Sequence, residues 1–202
     1  YSLTSYNGRL YFEARDFLHG SELWVSDGTA EGTQVVKDIV PGIESSSPGD
    51  LTATTGFLFF TADDGGHGYE LWRSDGTPEG TVLVKDIRPG AGSSYGWSFT
   101  AVASTLFFVC GQTNGYELWK SDGTAAGTVL VKDIYPGGDS SWPSSLTEAG
   151  GHVFFTADDG VHGDELWKSD GTAAGTALVR DIAPGASSSW PWHLTGFGGQ
   201  LF

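Results

Sequence analysis

Carboxylate and imidazole side chains recur together in short loops of this chain. Three loops carry an aspartate followed within a few residues by a histidine: Asp16 with His19, Asp63 and Asp64 with His67, and Asp158 and Asp159 with His162. A fourth loop at the equivalent place reads Gly111-Gln112-Thr113-Asn114 and has neither group. Such groups accept hydrogen bonds from ligand hydroxyls, and oxygen-rich loops also suit calcium.

Aromatic side chains recur in a second set of segments, which are rich in Ser, Gly and Pro. They are Tyr95, Trp97, Trp142, Trp190 and Trp192. An aromatic plate beside carboxylates is typical of a carbohydrate-binding site, because the ring covers C–H faces while acidic groups accept hydroxyl protons. The alternative is that the tryptophans pack beneath their loops, next to Pro143 and Pro191, and that the aspartates only shape turns.

Metal and enzyme chemistry have weaker support in the sequence. Calcium stays open as a second ligand, although no Asp-x-Asp-x-Asp-Gly spacing occurs. There is no His-Glu-x-x-His, no Gly-x-Ser-x-Gly and no phosphate-binding glycine loop. Glu148 is the one acid in the predicted innermost strands, whereas paired-carboxylate hydrolysis needs two. We therefore expect no catalytic residue and no resident cofactor.

A four-fold repeat positions these loops. The sequence Glu-Leu-Trp recurs with tryptophans at 24, 72, 119 and 167, spaced by 48, 47 and 48 residues, and each copy continues through Ser-Asp-Gly-Thr, Gly-Thr, Asp-Ile and Pro-Gly. We expect these tryptophans to pack between repeats and the Ser-Asp-Gly-Thr segments to form turns. We expect Glu22, Glu70, Glu117 and Glu165 to begin strands or to pair with a basic residue. The repeats cover approximately 3–50, 51–98, 99–145 and 146–193, with a partial copy at 194–202.

Each repeat predicts four short strands and no helix. In the second repeat the strands are 51–54, 57–62, 70–74 and 81–87, separated by Gly-containing turns. Segments such as 58–62 are apolar on both faces, so each sheet must be covered on both sides. A four-stranded antiparallel meander repeated at this interval predicts an all-β protein with β-propeller blades, the first strand innermost. A parallel β-helix is the competing architecture.

The number of blades in a closed ring stays open. The first strand occurs five times, so a ring of four blades leaves one copy over. Either the chain is part of a larger ring, or the last strand completes a blade of another copy, which would give a homo-oligomer by strand exchange.

The repeated strings ELWVSDGT, ELWRSDGT and ELWKSDGT resemble the ELWxxDGT repeat family of bacterial secreted and surface proteins. The resemblance covers essentially the whole chain. It implies a repetitive extracellular or cell-surface module, and it implies no reaction and no catalytic residue.

Charge and composition narrow the range of partners. The chain has 202 residues and a formal net charge of -15, which opposes nucleic acid and anionic membranes. Its single cysteine excludes an internal disulfide, and no apolar run is long enough for membrane insertion. The chain starts at a tyrosine and has no methionine, so we expect a mature product, a fragment or the ordered part of a longer protein.

The sequence therefore predicts a non-catalytic extracellular binding module, with a glycan or another cell-surface ligand as partner and several weak sites acting together. A structural or adhesive repeat that contacts other proteins is the alternative. The third repeat should bind worst, because its loop lacks the Asp and His of the others.

Overall fold

The computed structural model describes residues 3–113 and 115–202; Asn114 of the predicted third loop lies outside the described residues. The described part contains strands and turns but no helix. Four four-stranded sheets follow one another along the chain, and a two-stranded sheet follows them. The strands are β1 (Thr4–Tyr6), β2 (Arg9–Asp16), β3 (Gly20–Ser26), β4 (Gln34–Lys37), β5 (Gly49–Ala53), β6 (Leu58–Asp63), β7 (Tyr69–Ser74), β8 (Val82–Lys85), β9 (Trp97–Val102), β10 (Thr105–Gln112), β11 (Gly115–Ser121), β12 (Val129–Lys132), β13 (Ser144–Ala149), β14 (His152–Asp158), β15 (Asp164–Ser169), β16 (Ala177–Arg180), β17 (Gly196–Phe197) and β18 (Gln200–Leu201).

Every four-stranded sheet is an antiparallel meander in chain order, which is the blade of a β-propeller. The predicted fold class is therefore confirmed: four complete blades and the start of a fifth. The first strands of blades 2 to 4 begin two residues before the predicted repeat boundaries. Trp97, which we expected in a connecting segment, consequently opens β9 and pairs with Val109.

The chain divides into two compact units. One comprises Tyr1–Gly96 with Gly123–Ala125, and the other comprises Trp97–Asp122 with Ala126–Phe202. The first unit contains blades 1 and 2. The second contains most of blade 3, blade 4 and the two-stranded sheet.

Blades bury their apolar faces against each other within each unit. In the first unit, Leu23 and Val36 of blade 1 share a core with Phe60 and Trp72 of blade 2. In the second unit, Leu118 and Val131 of blade 3 share a core with Phe155 and Trp167 of blade 4. The predicted packing of the repeated tryptophans between repeats is therefore observed for Trp72 and Trp167.

The effect of a covering blade is visible inside the second unit. Val131 of blade 3, which lies under blade 4, is 5% exposed, whereas Val179 at the same position of blade 4 is 44% exposed. Ile134 and Ile182 differ in the same direction. The fourth strands of the two blades have similar sequences, VLVK and ALVR, so the difference in burial comes from the neighbouring blade.

First strands of neighbouring blades contact each other through threonine hydroxyls. In the first unit Thr4 Oγ1 donates to the carbonyl oxygen of Leu51 over 2.9 Å. In the second unit Thr100 Oγ1 donates to Leu146 over 3.1 Å in the same way. This arrangement agrees with the predicted position of the first strand as the innermost of each blade.

The Ser-Asp-Gly-Thr segment forms a closed network of local hydrogen bonds. In blade 1 the backbone N–H and the hydroxyl of Thr29 both donate to Asp27 Oδ1, and Thr33 Oγ1 donates to the carbonyl oxygen of Thr29. Blades 2 and 4 repeat this pattern. These aspartates are therefore turn residues, as expected, and their carboxylates are committed to the fold.

The glutamate of each Glu-Leu-Trp segment is fully buried, and the expectation that it pairs with a basic residue is wrong. Glu22 accepts hydrogen bonds from the backbone N–H of Ile39 and of Ser46 and from the Ser46 hydroxyl. Glu70, Glu117 and Glu165 accept equivalent bonds from the segment that leaves their own blade. The carboxylate thus anchors the connection between blades by accepting hydrogen bonds from its backbone N–H groups.

Burial raises the pKa of Glu22, Glu70 and Glu117, against the lowering effect of the hydrogen bonds from the connecting segments. At Glu165 burial also raises the pKa, but the hydrogen bonds from Ser189, Ala183 and Ile182 outweigh it, and the pKa lies below its usual value.

We expect Glu22→Ala to lower the free energy of unfolding by about 2–4 kcal/mol, because it leaves two backbone N–H groups and one hydroxyl without their acceptor. Urea denaturation followed by tryptophan fluorescence measures this change. The exposed Glu31 of the same blade is the control, and Glu31→Ala should stay within about 0.5 kcal/mol of the parent. Equal stabilities of the two variants would contradict the anchoring role.

A glycine at the start of the third strand lets the connecting segment approach closely. Gly68 has φ +69°, and a Cβ there would lie 2.8 Å from Ser93 Oγ and 3.1 Å from the Ala91 carbonyl oxygen. Gly8 also has a positive φ, +73°, but a Cβ there would meet no described atom within 4 Å. A substitution at Gly8 would therefore cause backbone strain alone, whereas one at Gly68 would cause both strain and a steric clash.

We expect Gly8→Ala to cost about 1 kcal/mol through backbone strain alone, and Gly68→Ala to cost about 1–3 kcal/mol more because the connection must also move. Thermal unfolding of both variants tests the difference. The close approach would be unimportant if the two alanine variants melted together.

Candidate functional site

The loop between the second and third strands lies beside the connection that leaves the same blade, as the meander predicts. In blade 1 the backbone N–H of Ser21 donates to Ser45 Oγ over 2.9 Å. In blade 4 the N–H of Asp164 donates to Ser188 Oγ over the same distance. The two sets of predicted site residues therefore occupy one end of each blade.

The aspartates and histidines of these loops form pairs with each other. Nδ1 of His19, His67 and His162 lies 2.8 Å from a carboxylate oxygen of Asp16, Asp64 and Asp159 respectively. The second carboxylate oxygen accepts the histidine's backbone N–H. Asp63 and Asp158 each accept the backbone N–H of a glycine two residues later. Asp16, Asp64 and Asp159 each accept three hydrogen bonds and so use most of their acceptor capacity inside the loop.

Each pair shifts the titration of its members. The hydrogen bond to the aspartate raises the pKa of His19, His67 and His162. The pKa of Asp16 is lowered chiefly by the hydrogen bond to His19. For Asp64 and Asp159 burial acts to raise the pKa, but the hydrogen bonds to their histidines outweigh it, and the pKa is lowered.

The aromatic residue of each connection follows directly after the serine that bonds the buried glutamate, and it has left-handed backbone geometry. Tyr95, Trp142 and Trp190 have φ of 47°, 48° and 49°, and Ser47 at the same position of blade 1 has 46°. The backbone at this position is thus fixed in all four blades. What differs is the surface beneath the side chain.

In blade 3 the aromatic side chain packs on two other rings. The ring centroid of Trp142 lies 4.8 Å from that of Tyr116 and 6.4 Å from that of Trp97, and Trp97 lies 4.7 Å from Tyr116. The neighbouring Pro143 is buried. Trp97 and Tyr116 therefore pack against Trp142, while 56% of Trp142 stays exposed.

In blade 4 the same place is an open cleft. The positions of Trp97 and Tyr116 are taken by Ser144 and Asp164, so no ring fills the space next to Trp190. A cleft of about 510 Å³ results, lined by Ser144, Thr156, Asp164, Trp190, Pro191 and Trp192 among others. Trp190 and Trp192 are 67% and 78% exposed. We call this space the blade 4 cleft.

Asp164 is the one charged side chain among the described residues that line the blade 4 cleft. Burial raises its pKa, the nearby Asp158 and Glu165 raise it further, and a hydrogen bond from Ser188 Oγ lowers it. That bond, at 3.3 Å to Oδ2, leaves further acceptor capacity on the carboxylate. Ser144 Oγ and Thr156 Oγ1, 2.5 Å apart, add hydroxyl groups.

The structure thus brings together only part of the predicted site. Trp190 and Trp192 line the cleft, whereas Asp158, Asp159 and His162 do not. Tyr95 and Trp142 are similarly exposed, at 55% and 56%, but Trp142 also packs against Trp97 and Tyr116. Sequence reasoning missed Asp164, Ser144, Thr156 and Tyr116. One feature of the sequence could have indicated Asp164. The residue before Glu-Leu-Trp varies between repeats and is Ser21, Tyr69, Tyr116 or Asp164.

No group of three or more His, Cys, Asp or Glu side chains among residues 3–113 and 115–202 is arranged to hold a metal ion. The same residues include no helix long and apolar enough to cross a membrane.

Similarity to known proteins is confined to structure. No protein-family model and no curated protein matches the chain. A puromycin hydrolase matches with TM-score 0.55, 15% identity and 85% of this chain. The acylaminoacyl peptidase of Pyrococcus horikoshii matches with TM-score 0.56, 11% identity and 90% coverage, and oligopeptidase B of Leishmania major with 0.51, 12% and 85%.

The chain spans 28%, 27% and 25% of the length of these three proteins, so it matches about a quarter of each. At such low identity the likeness is one of fold. It shows neither that the chain is an enzyme nor that it is not.

We expect Asp64→Asn to lower the pKa of His67 toward its ordinary value, because the amide removes the charge that favours the imidazolium. NMR titration of the imidazole protons measures this shift. His162, in another blade with its own Asp159, is the internal control and should titrate as before. An unchanged His67 titration would show that the pair does not persist in solution.

Proposed function

We propose that the protein is a non-catalytic extracellular module of the ELWxxDGT repeat type that binds carbohydrate. The blade 4 cleft is the observation that carries this proposal: two exposed indoles stand beside a carboxylate with free acceptor capacity and two hydroxyl groups. Indole faces cover the C–H faces of a sugar ring, and the polar groups satisfy its hydroxyls. The volume of about 510 Å³ is in the range of small-ligand sites.

Absence of catalysis is part of the proposal. Hydrolysis of a glycosidic bond generally uses two carboxyl groups that face the same bond. Asp164 lines the cleft alone among the described acids, while Asp158 on the neighbouring strand accepts the backbone N–H of Gly160 over 2.7 Å. A binding role needs only the one acceptor.

The proposed sites are unequal from blade to blade. In blade 3 Trp97 and Tyr116 pack against Trp142, which stays 56% exposed, and a tyrosine stands where blade 4 has Asp164. The missing carboxylate is a second argument for weak binding at the third repeat. Binding centres on blade 4, and avidity for a polymeric glycan would come from several copies of this cleft on one surface.

A structural or adhesive role is the second candidate, and one observation favours it. Phe17, Leu18 and Ile43 are 98%, 71% and 71% exposed. Phe17 and Ile43 line a further cleft of about 370 Å³ together with Arg15 and the predicted site residue Asp16. Exposed apolar groups of this kind occur at protein contacts. Assembly with other copies by strand exchange also stays a prediction, which molar mass in solution would test.

We expect Trp190→Ala to abolish binding on a glycan array while leaving thermal stability nearly unchanged, because the exposed indole is lost from the cleft. Trp142→Ala is the matched control: it removes an indole at the same position of blade 3. It should keep glycan binding and lose about 1–3 kcal/mol of stability, because Trp142 packs on Trp97 and Tyr116.

The parent protein is tested on the array with and without calcium. No binding to any glycan in either condition would overturn the carbohydrate proposal and favour the adhesive role. If Trp142→Ala loses binding and Trp190→Ala keeps it, the site lies in blade 3, and the assignment to blade 4 is contradicted.

A further inference from the structure

The blade 4 cleft has an electrostatic character that restricts the sugars it can take. Asp164 is its charged group, and Asp158 and Glu165 lie close enough to raise the Asp164 pKa. The described residues that line the cleft include no Lys, Arg or His. The surrounding protein carries a net charge of -15. The potential in the cleft therefore attracts cations and repels anions.

The aromatic residues add to this preference. The faces of indole rings carry negative electrostatic potential and attract ammonium groups, more strongly than the rings of Tyr or Phe do. Trp190 and Trp192 both border the same space, and Trp190 is 67% exposed. Trp192 corresponds to Trp97 of blade 3 and opens the partial fifth repeat, so Trp190 is the indole that carries the preference. The ring of His193 already lies 5.0 Å from the ring of Trp192, so the indole available to an ammonium group beside Asp164 is that of Trp190.

We propose that the blade 4 cleft prefers amine-bearing sugars, such as glucosamine units with a free amino group, over neutral, N-acetylated and acidic sugars. This inference rests on the proposed carbohydrate-binding function and specifies its ligand class. The sugar ring lies against an indole, and the protonated amine points to Asp164. Uronic, sialylated and sulfated sugars are excluded, because their charge would lie next to an uncompensated carboxylate.

The third blade gives the structural contrast. Tyr116 takes the place of Asp164 there and contacts Trp142, so blade 3 lacks the carboxylate, although Trp142 itself is 56% exposed. The preference for amines is therefore assigned to the combination of residues found in blade 4, and not to the repeat as such.

Isothermal titration calorimetry with glucosamine oligomers and N-acetylglucosamine oligomers of equal length tests this inference. The pH is chosen to protonate the sugar amine and to keep Asp164 ionised. We expect the parent protein to bind the free-amine oligomer about tenfold more tightly, as a cation–π contact and one charged hydrogen bond would supply. Added salt should reduce this preference.

Asp164→Asn is the decisive variant, since its amide oxygen can still accept from Ser188 and from a sugar hydroxyl. We expect the variant to bind both oligomers with similar affinity. Asp159→Asn, which removes the same charge outside the cleft, should keep the preference. A preference that survives in Asp164→Asn would overturn the assignment to Asp164.

The outcomes separate this inference from the proposed function. Equal binding of both oligomers by the parent protein overturns the amine preference and leaves carbohydrate binding in place. The amine preference is also overturned if the protein binds neither oligomer but binds a neutral glycan on the array in a way that needs Trp190. Carbohydrate binding would again stand. Failure to bind any sugar overturns both.

Discussion

A buried carboxylate that serves backbone donors is the interaction on which each blade depends. The connection between blades is irregular, so strand pairing satisfies only some of its N–H groups, and burying the others unpaired would be costly. Glu22 and its three counterparts supply the acceptors from inside the third strand. One side chain per repeat thereby fixes the path of the whole connection, even though burial raises the pKa of three of the four.

The same anchor determines where the variable chemistry lies. The serine that donates to the glutamate is followed at once by a residue with φ near +50°, which is Ser47, Tyr95, Trp142 or Trp190. Because the anchor and the backbone are constant, the side chain at this place can change without rebuilding the blade. The repeated cassette is thus committed to the fold, and the residues between its fixed positions are available for function.

The sequence was sufficient to predict the strands, their meander order and the stacking of blades, because each follows from local periodicity and turn residues. It did not reveal the role of Glu22, since a glutamate at the start of a strand gives no sign that its partners are backbone groups on a later segment. It also grouped Trp142 with Trp190. The two differ only through residues distant in the chain, Trp97 and Tyr116 against Ser144 and Asp164, which become neighbours of the connection only in the folded blade.

Two substitutions therefore separate a packed aromatic cluster from an open cleft. In blade 3 large rings at the first and third strands fill the space beside the tryptophan, and the indole contributes to stability. In blade 4 small or acidic residues leave that space open, and Trp190 is 67% exposed, against 56% for Trp142. The two blades therefore differ in what lies beside the indole: aromatic rings in blade 3, and a carboxylate with a pair of hydroxyl groups in blade 4. Only the second set offers polar groups to a ligand, which favours binding at blade 4 over blade 3.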